Sequence, residues 1–144
     1  MSAVAAHDFP AFADAIAPVE DALEVNPELG AEEIFDAFEP PIVALFSIAK
    51  MISAIQAHGA VAWLQSEFAS PSGIKMVRDG LSLLGGVGAS EVRKSLDAMM
   101  KVAGRVGDVM ANDIIREHGD EILDAANIVL AEADAYCARS VVAA

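Results

Sequence analysis

The sequence predicts an all-α fold, a small helical bundle of about five to seven helices that assembles as an oligomer through one apolar helix. Three observations lead there. Apolar residues recur at spacings of three and four throughout, and no stretch alternates β-branched residues with period two. The breaks between periodic segments are Pro, Gly and helix-capping residues. The chain is 55% hydrophobic but only 6% aromatic, so its apolar content is mainly Ala, Val, Ile, Leu and Met, small or flexible side chains that suit close helix packing. Its 144 residues are enough for a modest core. They divide into an acidic N-terminal helical segment, 1–40, and a helical oligomerisation or accessory domain, 41–144.

In order along the chain, a first short helix is predicted over Asp8–Ala17, with Pro18 restarting the chain and a further turn or two running to Val25. In "NPELGAEE", Asn26 is a candidate cap, Pro27 suits a first helical turn and Gly30 permits a turn. A brief helix over Glu32–Phe38 is predicted to end at the Pro40-Pro41 pair, because the residue before a proline is pushed out of the helical region. The long apolar helix follows, from Pro41 to about Ala57, with a break at Gly59 and a helical continuation over Val61–Phe68. "SPSG" is a turn, and Ile74–Leu84 puts Ile74, Val77, Leu81 and Leu84 on one face. "GGVG", residues 85–88, ends that helix. Ser90 is the expected N-cap of the next, Glu91 to about Val109, with Arg93 and Lys94 outward. A last helical region starts at Asn112, with Gly119 as a candidate break. Gly80, Gly104 and Gly107 fall inside helical patterns, where each either weakens a helix or permits a close crossing.

The net charge of −13 is unevenly spread. Residues 1–40 carry ten carboxylates and no Lys or Arg, residues 41–110 are slightly basic at +2, and residues 111–144 carry −5. Affinity for nucleic acid rests on neutralising phosphates with Lys and Arg, so a nucleic-acid partner is not expected. Anionic lipid should repel all but the near-neutral middle. The lone Cys137 forms no intramolecular disulfide and points to no oxidising compartment. "MSAVAAHDFPAF" has neither a positive n-region nor an apolar h-region, so a cleaved leader is not expected and the cytoplasm is the expected location.

No motif makes a catalytic or metal-ligating set. "GGVG" follows a helix and lacks a Walker Lys-Ser/Thr pair, so a helix–helix turn is expected in place of a phosphate loop. His7, His58 and His118 are far apart. In "REHGDE", Glu117, His118, Asp120 and Glu121 diverge around one exposed helix, whereas a metal needs converging ligands. Cys137 has no neighbouring base and reads as a small packed hydrophobe. No cofactor of its own and no enzymatic activity are expected.

The segment Pro41–Leu64 is apolar around most of its circumference, interrupted only by Ser47, Lys50, Ser53, Gln56 and His58. Such a helix is buried in a core, in a membrane or against another chain. As a membrane span it is long enough, but Lys50 would sit near the bilayer centre at a cost of about 2.5–3.5 kcal/mol. A buried helix in a bundle or at a homo-oligomer interface is favoured, with Ile48 and Ile52 as expected assembly points. A groove for a lipid-like ligand is a third reading, to which Met51, Met76, Met99, Met100 and Met110 would contribute adaptable walls.

Residues 54–102, "AIQAHGAVAWLQSEFASPSGIKMVRDGLSLLGGVGASEVRKSLDAMMKV", resemble the small helical domain-of-unknown-function family (number 1641) encoded beside formate dehydrogenases, sulfide:quinone oxidoreductases and hydrogenases. The features that match are the His58-Gly59 break, the Leu83-Leu84-Gly85 helix end and the Ala89-Ser90-Glu91 turn; the acidic N-terminal forty residues lie outside the match. The resemblance implies a non-catalytic accessory subunit of a quinone-linked oxidoreductase, one that helps assemble the enzyme, tether it at the inner face of the membrane or give quinone access. Its partners would be a larger redox enzyme subunit and copies of itself, with peripheral membrane contact. Quinone would bind at an apolar interface bordered by Phe46, Met51 and Trp63, with His58 placed to hydrogen-bond a quinone carbonyl. The alternatives are a free-standing helical interaction or structural protein whose acidic face recruits a basic partner, and a carrier of a hydrophobic ligand in a bundle cavity.

Overall fold

Seven α-helices and, among the described residues, no strand make up the fold seen in a computed structural model, which describes residues 6–143 and side chains through Arg139. The helices are α1 (Pro10–Val25), α2 (Ala31–Phe35), α3 (Pro40–His58), α4 (Ala60–Leu64), α5 (Pro71–Leu84), α6 (Val87–Met100) and α7 (Val109–Ala143), with 3-10 turns at Ala6–Asp8, Glu67–Ala69 and Ala103–Arg105. The first five residues, on which part of the leader expectation rests, lie outside the described ones.

The apolar helix α3 is the centre of the bundle, packed by α1, α4, α5 and α7. Six consecutive residues, Val43 to Ile48, are buried, which is why the sequence there is apolar all round. Ser47 is buried among them without penalty because its hydroxyl donates to the Val43 carbonyl at 2.9 Å. By length and composition α3 would also cross a membrane, yet half of its apolar window is covered by its own chain. Ile48 and Ile52, the expected assembly points, are 0% and 1% exposed, so they hold the core together and are closed to a second copy.

α1 belongs to the same core as the rest. Its Phe12, Ile16 and Val19 are buried in one cluster with α3 and α7 side chains, and α2 contributes Phe35, which meets Phe46 edge-on at 5.7 Å. Burial on both sides of Pro18 carries the helix straight through that residue, where a break was expected; the lost hydrogen bond is offset by packing. Asn26 ends α1, its side-chain amide donating to the Ala22 carbonyl at 2.8 Å. Gly30 precedes α2, which stops at Phe35, and the proline pair opens α3 at its first two positions, where a missing N–H costs nothing. Gly59, at φ 89°, separates α3 from α4, which ends at Leu64, short of the expected Phe68.

The remaining helices pack through close approaches at glycine. A Cβ on Gly80 of α5 would lie 2.7 Å from the Ala44 carbonyl oxygen of α3, and one on Gly88 of α6 would lie 2.8 Å from the Val129 nitrogen of α7. Gly119 does not break α7; it sits on the buried stripe Ala111, Ile115, Ile122, Ala126, Val129, Ala133, Cys137, and its missing Cβ makes room for Ala60. Ser70 caps α5 by accepting from the Gly73 N–H, as Asp108 caps α7 by accepting from Met110 and Ala111.

Two other helix starts are capped from a distance by α7. Glu132 accepts from the Gly88 and Ala89 N–H groups at 2.9 Å each, and Asp134 accepts from the Phe12 N–H at 3.0 Å. Neither Phe9 nor Gly86, the residues preceding α1 and α6, provides a side-chain cap. This is why α6 starts at Val87, four residues before the start expected from Ser90, which lies inside the helix; α6 then ends at Met100. Arg78 of α5 joins α6 by donating twice to one Asp97 oxygen, at 3.1 and 2.9 Å.

Candidate functional site

The residues expected to act together are dispersed by the fold. Met51 and Trp63 are 0% and 1% exposed and are core, so they cannot border a ligand path on the surface. The Trp63 indole N–H is buried without an acceptor. Phe46 is also nearly covered but shows one edge at the floor of a groove between α1 and α3. His58, exposed at the end of α3, lies in a different groove with Gly59, Arg116 and Asp120, about 440 Å³ in volume. The reason is helical geometry: Phe46 and His58 are twelve residues apart, which places them about 18 Å apart along the axis.

Another groove, about 530 Å³, is open to solvent between α1 and α3. Half-buried Leu23 of α1 and Ala49 of α3 line it over the nearly covered Phe46, Ile52 and Leu130, with Ala6 and His7 of the first 3-10 turn and Ala13 of α1 also on its wall. One rim is acidic, Glu20 and Glu24, four residues apart on α1; the other carries Lys50, Ser53 and Gln56 of α3. The Lys50 ammonium is turned to the Phe68 ring, 4.9 Å from its centroid, and neither rim carboxylate makes an ion pair among the described residues. A third groove, about 450 Å³, between α6 and α7, holds Glu91, Lys94, His118, Glu121 and Asp124. There His118 and Glu121 hydrogen-bond to each other. Among the described residues no three His, Cys, Asp or Glu side chains converge to hold a metal ion.

No protein-family model matches the chain, nor does any curated protein or solved structure. The resemblance of residues 54–102 therefore rests on its short motifs.

The α1–α3 groove sets two half-buried apolar side chains, Leu23 and Ala49, beside a charged edge. Sequence reasoning identified Phe46 as an apolar contact but missed Glu20 and Glu24. In a segment with ten carboxylates, their positions carry no mark; only the packing of α1 on α3 sets these two beside Ala49 and the covered Phe46. Cys137 is where it was expected, buried on the α7 stripe, and burial raises its thiol pKa, with the nearby Asp134 carboxylate adding to the shift.

Proposed function

We propose that this chain is a non-catalytic helical binding module, an accessory subunit that lends a docking surface to a larger assembly. The observation that carries the reading is the open α1–α3 groove, where half-buried Leu23 and Ala49 lie over the covered side chains of Phe46 and Ile52, beside Glu20 and Glu24. The short motifs of residues 54–102 support a quinone-linked oxidoreductase as that assembly, with the module assisting assembly, membrane proximity or quinone access. The test is reconstitution. The partner enzyme alone should reduce a soluble dye normally and reduce quinone poorly until this chain is added. Equal quinone reduction with and without it removes the redox assignment and leaves a general interaction module.

A second reading, carriage of a small apolar ligand, is favoured by groove size, since about 530 Å³ falls within the common range for small-molecule sites, roughly 300–1,000 Å³. Saturable displacement of an environment-sensitive dye by a quinone analogue, at one site per chain, would support it. Unsaturable partitioning would reject it.

A further inference from the structure

We propose that copies of this chain pair head to tail, the acidic turn after α1 of one copy receiving the cationic turn before α7 of the next. Among the described residues, three of the four large apolar side chains most open to solvent lie at these two turns: Val25 is 75% exposed, Val109 76% and Met110 75%, and Leu29 joins Val25 at 42%. A single exposed valine is ordinary; two apolar pairs set beside free charge of opposite sign are not. Beside Val25 and Leu29, the exposed Asp21, Glu24 and Glu28 make no ion pair among the described residues. Beside Val109 and Met110, the exposed Lys101 and Arg105 make none either. The acids of this second turn are occupied: Asp108 accepts from the Met110 and Ala111 N–H groups, and Asp113 accepts from Arg116 at 3.2 Å. Its free charge is positive.

Both turns are pinned. The Leu29 N–H donates to the Asn26 carbonyl at 3.1 Å, and the Gly107 N–H donates to the Asn112 side-chain oxygen at 3.0 Å. Little backbone is left to order on binding, which lowers the cost of association. Charge complementarity names the occupant, because each turn carries what the other lacks: an apolar pair with carboxylates against an apolar pair with Lys and Arg. Either turn set against its own copy would oppose like charges, so the pairing is heterologous and extends into a chain or closes into a ring. Two turns of this size bury less than a standard interface, which makes the association weak and concentration-dependent.

The test is sedimentation velocity of the full chain at rising concentration, up to the millimolar range. The average mass should grow with concentration, and association should weaken roughly tenfold between low and high salt. Lys101→Glu with Arg105→Glu leaves two acidic turns, and Asp21→Lys with Glu28→Lys leaves two turns of net positive charge. Each double variant alone should stay monomeric. An equimolar mixture of the two should associate again, because the native turn that each retains matches the native turn of the other; a merely structural effect gives no such recovery. Val109→Ser with Met110→Ser should weaken association by roughly tenfold or more, while Glu117→Gln, exposed on α7, should leave it unchanged. Circular dichroism confirms that each variant is folded. Asp21 and Glu28 lie outside the α1–α3 groove, so failure of this pairing leaves the binding-module reading standing. A chain that stays monomeric at every concentration overturns the inference. So does association indifferent to both charge reversals, or a mixture of the two variants that remains monomeric. Binding to anionic vesicles that needs Val109 and Met110, without self-association, assigns the cationic turn to a membrane and overturns it as well.

Discussion

Replacing Glu132 by Ala removes the cap of a helix with which it shares no local sequence, and its cost follows from the geometry. The carboxylate accepts two N–H groups at 2.9 Å from the first turn of α6, at Gly88 and Ala89, both buried. Loss of a local N-cap costs about 0.5–2 kcal/mol, and hydrogen bonds to a charged group are each worth about 1.5–3 kcal/mol. Glu132 is itself partly exposed, so water replaces part of what is lost, and about 2 kcal/mol is the expected net effect. For a chain of this size that lowers Tm by about 6–8 °C. Urea unfolding followed by circular dichroism should show a reduced midpoint with an unchanged slope. A second substitution checks the mechanism. A Cβ on Gly86 would lie 2.3 Å from a Glu132 carboxylate oxygen, so Gly86→Ala displaces the same cap. It should destabilise the native chain and be nearly neutral when Glu132 is already Ala, a clear departure from additivity. A loss below about 0.3 kcal/mol for Glu132→Ala, or an equal loss for the exposed Glu117→Ala, refutes the reasoning.

Three further outcomes are expected. Gly80→Ala gains about 1 kcal/mol of helix propensity but forces a Cβ against the Ala44 carbonyl at an overpacking cost of about 1–3 kcal/mol, so thermal denaturation should show a net loss of about 1 kcal/mol; Gly104→Ala, with open space around it, should lose nothing. Ile48→Asp buries a carboxylate with no partner in the centre of the bundle and should cost more than about 4 kcal/mol, read as loss of the helical circular dichroism signal instead of a change in oligomeric state in a folded chain. Burial keeps the Cys137 thiol protonated in the folded chain to higher pH than in the unfolded one, so the unfolded state ionises first, from about pH 8.5; stability from this group is complete below that point and is lost as pH rises towards the folded pKa. A thiol reagent should accordingly label Cys137 slowly at pH 8 and quickly in denaturant, and equal rates would place the side chain at the surface.

The helical class and the order of the segments were legible because each rests on local chemistry. Spacing of three and four marked the last helical region, and Ile74, Val77 and Leu81 fall buried where their period placed them. Ser70 and Gly85 mark the ends of α5 by their own hydrogen-bonding and conformational preferences. What the sequence left open depends on residues that meet only after folding. Pro18 reads as a break, yet burial of Ile16 and Val19 on either side keeps α1 whole. Ser90 reads as a cap, yet α6 starts four residues before the expected Glu91 because Glu132, 43 residues from Ala89, reaches its first N–H groups. The all-round apolar character of α3 was plain, but what covers it was not: its own chain surrounds Val43 to Ile48, since α1, α5 and α7 each spend one face on it. The site divides in the same way. Composition supplies an acidic N-terminal segment and apolar side chains in quantity, whereas the pairing of Glu20 and Glu24 with Ala49, over the covered Phe46 and Ile52, exists only because α1 lies against α3, a long-range arrangement fixed by core packing that no local pattern encodes.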